Sequence, residues 1–413
     1  MMTALLDSRR SDASVTESKA LSRLSSRQEI AGGNFFKSAA SVGLYLMSIT
    51  LAYLLFMYVY NPAIFYNPIG YLDPFMYVGY GLYYSYPDFL NWYYKVSRLP
   101  WDLLEFIARH IFRPDGAAFF LQFFSFALLS TSIFFYFRRL ISTSNALMLA
   151  VVSIFFPLFY ADGGADYHNT ISGPLYFLTL ALLVTSIADR SLLFAAWTGA
   201  AAALALHTNP LIALLGPGLA LQCFVYCQSH KRSTAFMLSA LAILVAGFAA
   251  TTAGLGAISA AFGRGFLFFM PQLDYLLWIQ EHNSWWKQLS WEWFANSKSN
   301  AWLIGVFALC LVELIILAAR QKIRDSREAA SAYGGYIVSY LLAVAYQFKG
   351  QTLLQPNYLN HMFVVATFLP LGYLMQRYLP PLFSYRQTIF YIIFPLACAS
   401  ALFESDAIYA GLQ

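Results

Sequence analysis

The sequence predicts an all-α polytopic membrane protein, on three observations. Of its 413 residues 59% are hydrophobic and only 11% charged, with mean hydropathy +0.57. A soluble domain carries roughly a quarter charged residues. The apolar stretches run for about 20 residues each, the length of a membrane-spanning helix and not the short alternating segments of a barrel. Lysine and arginine are also unevenly placed, with 17 of 25 in segments that alternate spans would put on one side.

Apolar windows give about eleven spans, centred near residues 50, 127, 152, 179, 199, 219, 247, 310, 341, 369 and 395. Residues 1–38 precede them as a polar, serine-rich, basic tail, and the run that follows is too long for a signal-peptide core. The tail is expected to be disordered, with the transmembrane domain over 39–403 and a short outer tail over 404–413. If the N-terminus is cytoplasmic, the inside segments are the tail, "FRRL", "ADR", "HKR", "RQKIRDSRE" and "QRYLPPLFSYR", in line with the positive-inside rule. An odd number of spans places the C-terminus outside.

That orientation sends most acids outward and leaves two long outer loops, 61–116 and 264–299. Long ordered connections are usually functional. In the first, "PDFLNWYYKVSRLPWDLLEFIARHIF" repeats Leu90, Tyr94, Leu103, Leu104, Ile107 and Ile111 at helical spacing, with Lys95, Arg98, Asp102, Glu105 and Arg109 between them. The pattern suits amphipathic juxtamembrane helices lying in the interface plane, broken at Arg98-Leu-Pro100. The second loop packs five tryptophans into "DYLLWIQEHNSWWKQLSWEWF"; they read equally as an interfacial belt or as a cover over a lipid-linked substrate.

Four features coincide on the outer face: Asp73 in "GYLDPFMYVGYGLYY" beyond span 1, the helix pair carrying "RLPW", the short acidic loop "YADGGADYHNTISGPLYFLTLAL", and "QPNYLNHMFVVATFLPLGYL" entering a late span. Over roughly residues 40–375 this layout resembles the GT-C superfamily of integral-membrane glycosyltransferases. It is most similar to the protein O-mannosyltransferase and aminoarabinose-transferase branch, where Asp-Tyr opens span 4 and a Pro-Leu late span recurs. The resemblance implies transfer of a sugar from a polyprenyl-phosphate donor to an acceptor hydroxyl on the periplasmic or lumenal face. The sequence departs from the branch at Asp73-Pro74, where an Asp-Glu pair is usual. It also departs at "HTNP", with His207 in place of a basic residue, and at Asn357, Asn360 and His361, where arginine or lysine is frequent.

Such transfer needs a carboxylate base, a stabilised leaving phosphate and an apolar groove for the prenyl tail. Asp73 is the candidate base; its alternative is an Asp-Pro turn initiator. Asp166 is the second catalytic candidate, and it reads equally as a helix cap. Arg98 suits phosphate oxygens through its guanidinium fork, or snorkels to headgroups. His168, His207, Lys349, Tyr358 and His361 are candidates for contact with the donor phosphate or sugar, and Asp88 and Asp162 for the acceptor or a second acid. Glu313 is an ionisable group at membrane depth, expected to serve function or a helix–helix hydrogen bond.

No cofactor is expected beyond the lipid-linked donor. No His-x-x-x-His, His-x-x-Glu or Asp-x-Asp pattern lies in an outer loop, which gives a divalent metal little support. Cys223, Cys227, Cys310 and Cys398 form no zinc or redox pattern. The expected partners are the polyprenyl-phosphate sugar, a glycan, lipid or protein acceptor, and membrane lipid, with no nucleic acid. The expected location is a bacterial inner membrane. A transporter or flippase of such a lipid, or a polysaccharide polymerase or ligase, is the competing reading. Against a transporter stands the lack of a repeat between the two halves.

Overall fold

The computed structural model describes residues 32–60, 72–86, 94–156, 168–281, 298–350 and 363–378. Two compact units divide after Ile49, inside the first helix, α1 (Gly32–Tyr60); all later elements belong to the second. The chain then runs through α2 (Leu72–Tyr83), a 3-10 turn (Tyr94–Ser97), α3 (Leu99–Ile111), α4 (Pro114–Phe137), α5 (Thr143–Ile154) and α6 (Asn169–Asp189). There follow α7 (Leu192–Thr208), a 3-10 segment (Pro210–Leu215), α8 (Gly216–Ser229), α9 (Thr234–Ala261) and α10 (Met270–Glu281). The last three are α11 (Lys298–Ala319), α12 (Arg327–Gly350) and α13 (Phe368–Tyr378). No strand occurs among the described residues.

Among the described residues, six helical segments are long and apolar enough to cross a membrane: Ala40–Val59, Pro114–Phe137, Asn169–Asp189, Pro210–Ser229, Thr234–Ala261 and Ala301–Ala319. Two shorter helices, Thr143–Ile154 and Leu192–Thr208, are apolar as well. The span centres expected near 341 and 369 fall on α12 and α13. The centre near 395 lies outside the described residues, as do the N-terminal and C-terminal tails.

Helix ends follow from sequence. Ser142, Ser191 and Ser233 each accept a backbone N–H three residues on, from Asn145, Phe194 and Phe236, and so start α5, α7 and α9. α6 stops where Arg190 turns left-handed at φ 52° and the Ser191 N–H reaches back to the Ser186 carbonyl.

One end of the second unit is basic and tied by ion pairs. Arg139 grips Asp189 with two parallel hydrogen bonds of 2.9 and 2.8 Å. Arg232 donates to the Ile187 and Ala188 carbonyls, both at 2.7 Å, and satisfies the otherwise orphaned acceptors at the end of α6. Glu313, the expected membrane-depth acid, takes a 2.5 Å hydrogen bond from Arg377 and another from the Tyr378 hydroxyl, which joins α11 to α13. Close helix approach depends on missing side chains. α7 and α9 cross where a Cβ on Gly199 would run into the Leu244 carbonyl oxygen, and one on Gly247 into that of Ala196.

Candidate functional site

The opposite end gathers α2, the 3-10 turn and α3 beneath the turn that follows α9, and α3 is the centre of it. This helix is amphipathic with its faces reversed relative to a surface helix. Asp102 and Glu105 are both 0% exposed, and Lys95, Ser97 and Trp101 are buried beside them. Ile107 and Ile111, on the other face, are 51% and 68% exposed. The charges of α3 thus turn toward the protein and its isoleucines away from it. Periodicity alone predicts two unlike faces and does not say which of them meets the protein.

Buried tyrosines and a glycine pack against this inner face. Arg98 and Lys95 both lie over the Tyr77 ring, with guanidinium carbon and ammonium at 5.8 and 5.6 Å from its centre. The Lys95 ammonium is also 3.5 Å from Met76 Sδ. On its far side Tyr77 meets the His168 ring at 5.1 Å, just before α6 begins. α2 crosses α3 at Gly81, where a Cβ would stand 2.7 Å from Glu105 Cβ and 2.8 Å from its Oε2. Only hydrogen fits there, which leaves Glu105 free to take the 3.1 Å hydrogen bond from Arg109 Nε.

Arg264 closes the cluster. After α9, Gly263 adopts φ 76°, a conformation that favours glycine, and the chain turns back. The turned Arg264 donates to the Tyr84 carbonyl at 3.3 Å and to the Tyr86 carbonyl at 3.1 Å. Its guanidinium carbon lies 4.7 Å from the centre of the Tyr84 ring. Phe262, two residues earlier, packs edge-on against Tyr84 and Phe106. Further along, Tyr275 of α10 stacks flat on Tyr94 of the 3-10 turn at 3.8 Å.

Electrostatics single out Asp102. Burial holds its carboxyl well above the usual carboxylate range, against the opposite pull of Arg98 and Arg264. Burial also pushes the Tyr84 hydroxyl up to about 12, although Arg264 favours its charged form. Around Asp102 stand Arg98, Glu105 and Arg109 of its own segment, Tyr84 after α2 and Arg264 after α9. Because the folded chain keeps a proton that the unfolded chain releases, stability falls as pH rises above the ordinary carboxylate range toward the folded value. Asp102→Asn is therefore expected to flatten that decline and to raise the melting temperature at the alkaline end of the window. Thermal melts in detergent over a pH series measure it; a parallel slope in both proteins would refute the assignment.

Of the expected site residues, Arg98 and His168 come together around Tyr77. His207 does not join them there: its Nε2 is 3.0 Å from Thr252 Oγ1, and its ring is nested among Phe248, Phe268 and Phe269. Asp73 lies in the first turn of α2, one turn before Met76, so the Asp-Pro pair opens a helix and not an isolated turn. Its side chain lies outside the described residues, as does that of Lys349 in α12. Asp88, Asp162, Asp166, Tyr358 and His361 lie outside them entirely. Lys95, Asp102, Glu105 and Arg264 had not been singled out as site residues. Charge placed every third or fourth position signalled the first three; a lone arginine after a long apolar span signalled nothing. Among the described residues no group of three or more His, Cys, Asp or Glu side chains could hold a metal ion. No protein-family model matches the chain, and no curated protein sequence matches it.

Proposed function

We propose that the chain is a membrane glycosyltransferase of the GT-C kind, which takes a sugar from a polyprenyl phosphate and passes it to an acceptor hydroxyl. The observation that carries this reading is the inward-facing charge of α3. Cationic groups suited to a phosphate, Lys95 and Arg98, lie buried against the helix that bears Asp73, at the end of the molecule opposite the basic ion-pair end. On this reading Asp73 accepts the proton of the acceptor hydroxyl as that oxygen bonds to the anomeric carbon. The carbon–oxygen bond to phosphate breaks, and the departing phosphate keeps the electron pair. Arg98 and Lys95 stabilise its growing charge. His168, behind Tyr77, helps to fix the ring on which both cations rest. The chemistry belongs on the periplasmic or lumenal face, and the full set of about eleven spans is part of the same proposal.

The test uses the purified protein in lipid with a mixed pool of polyprenyl-phosphate sugars, and cleavage of the sugar–phosphate bond is followed. Asp73→Asn is expected to lower turnover by about 10²-fold or more while donor binding persists. Undiminished turnover would remove Asp73 as the base. Wild-type protein that moves the lipid across the bilayer without cleaving it would be a transporter.

A further inference from the structure

At the basic end, away from α3, the helices leave a cavity of about 20 Å³ between α4, α6, α8, α12 and α13. One water molecule needs roughly 10–15 Å³ of such space. Part of the lining is apolar, from leucine, valine and isoleucine side chains of α6. The polar part comes from Tyr136 of α4, Gln222 and Tyr226 of α8, Glu328 and Ser331 of α12, and Tyr373 of α13. Gln222 is 8% exposed, and only one end of its amide is served. The Tyr136 hydroxyl donates to Oε1 at 2.7 Å, while the buried Nε2 has no hydrogen-bond partner among the described residues. Turning the amide over only exchanges which end meets Tyr136 and which is left. Native proteins keep few such groups without a partner. The Ser331 hydroxyl is turned to its own helix, where it donates to the Glu328 carbonyl at 2.7 Å. The frame is also fixed. One turn before Gln222 and one turn after Ser331, α8 and α12 meet closely: a Cβ on Gly218 would stand 2.8 Å from the Gly335 carbonyl oxygen. Backbone in such contact leaves the two helices no room to close further on the cavity.

We propose that this cavity is a binding site for one ordered water molecule, which accepts from Gln222 Nε2 and donates to the Glu328 carboxylate. The inference is independent of the proposed activity. The lining selects the occupant by its chemistry. An apolar filling leaves the Gln222 amide unserved. A bare cation is repelled by the Nε2 hydrogens, and an anion by Glu328. The wider surroundings draw neither sign, because two arginines and two carboxylates, Arg139, Arg232, Asp189 and Glu328, act together on Tyr226. Water donates and accepts at once, and so meets both Gln222 and Glu328. With it in place a single line of hydrogen bonds runs from Tyr136 through Gln222 and the water to Glu328, and α4, α8 and α12 are tied together. Bonds in such a line polarise and strengthen one another.

The first test is a structure of the wild-type protein in lipid nanodiscs at a resolution that shows ordered water. A solvent peak is expected at about 3 Å from both the Gln222 amide and the Glu328 carboxylate. A cavity without such a peak, or a peak that touches only one of the two, overturns the bridge. The second is a double-variant cycle on melting temperature with Gln222→Leu and Glu328→Leu. Once either change has removed the water the other has less to lose, so the double variant is expected to fall short of the summed losses. Additive losses would show that nothing joins the two side chains. If a leucine variant does not fold, Gln222→Met and Glu328→Gln take its place, and the solvent peak decides alone if these fail as well. Melts in potassium, sodium and N-methylglucamine chloride separate water from an ion. Equal melting temperatures are expected; a wild-type melt that follows the cation, and a Gln222→Leu melt that does not, would assign the cavity to a monovalent cation and overturn the water.

Discussion

Arg377→Met is expected to destabilise the protein by about 3 kcal/mol, because it strands a buried carboxylate. The Glu313 side chain is 6% exposed and shares its two oxygens between Arg377 and Tyr378, one from each neighbouring residue of α13. Removing the guanidinium leaves one hydroxyl to serve a charge set in a span of otherwise apolar residues. The companion experiment decides the cause. Glu313→Leu together with Arg377→Met replaces the pair by apolar groups of similar reach, and such double replacements are often neutral or stabilising. Unfolding in mixed detergent micelles should therefore rank the double variant well above the single one. Equal losses in both would show that α13 is held by packing alone and that the ion pair adds nothing.

Gly199→Ala is expected to cost about 2–3 kcal/mol, at the upper end for overpacking by one carbon. The neighbour in the way is the Leu244 carbonyl oxygen. Backbone cannot rotate aside as a side chain can, so α7 and α9 must separate along their seam. Gly254 of α9 is the matched control, since a Cβ there meets nothing within 4 Å. Gly254→Ala should be neutral or stabilising by up to about 1 kcal/mol, the difference in helix propensity. The same substitution thus carries opposite signs at two helix-interior glycines. Like signs would mean that helix propensity, not the crossing, decides both.

Much of the helical layout was legible in the sequence. The apolar stretches locate α4, α6, α8, α9 and α11, because length and hydrophobicity are local properties that lipid enforces on each segment separately. The serines that open α5, α7 and α9 are equally local signals. Orientation of a face is not. The spacing of Asp102, Glu105, Ile107 and Ile111 shows that α3 has two unlike sides, but periodicity is blind to which side meets protein. In α3 it is the charged side that faces the protein. Arg264 was illegible for a different reason: its partners are carbonyl groups of Tyr84 and Tyr86, which every residue possesses, so no side-chain pattern announces them. His207 is a different case: its place at a helix end is local, but nothing local announces that Thr252 and three phenylalanines lie around it.

The bond from Arg264 to the Tyr84 carbonyl spans 180 residues of chain. At roughly 5–20 residues per second, a ribosome needs about 10–40 s to travel from one to the other. For most of that interval the charged side of α3 has been made and the arginine of the later turn has not. α4 through α9 are all synthesised within it. Completion of the site is then a late event in biogenesis, triggered by the emergence of one short turn. A nascent chain arrested before residue 264 would lack the arginine that closes over Tyr84.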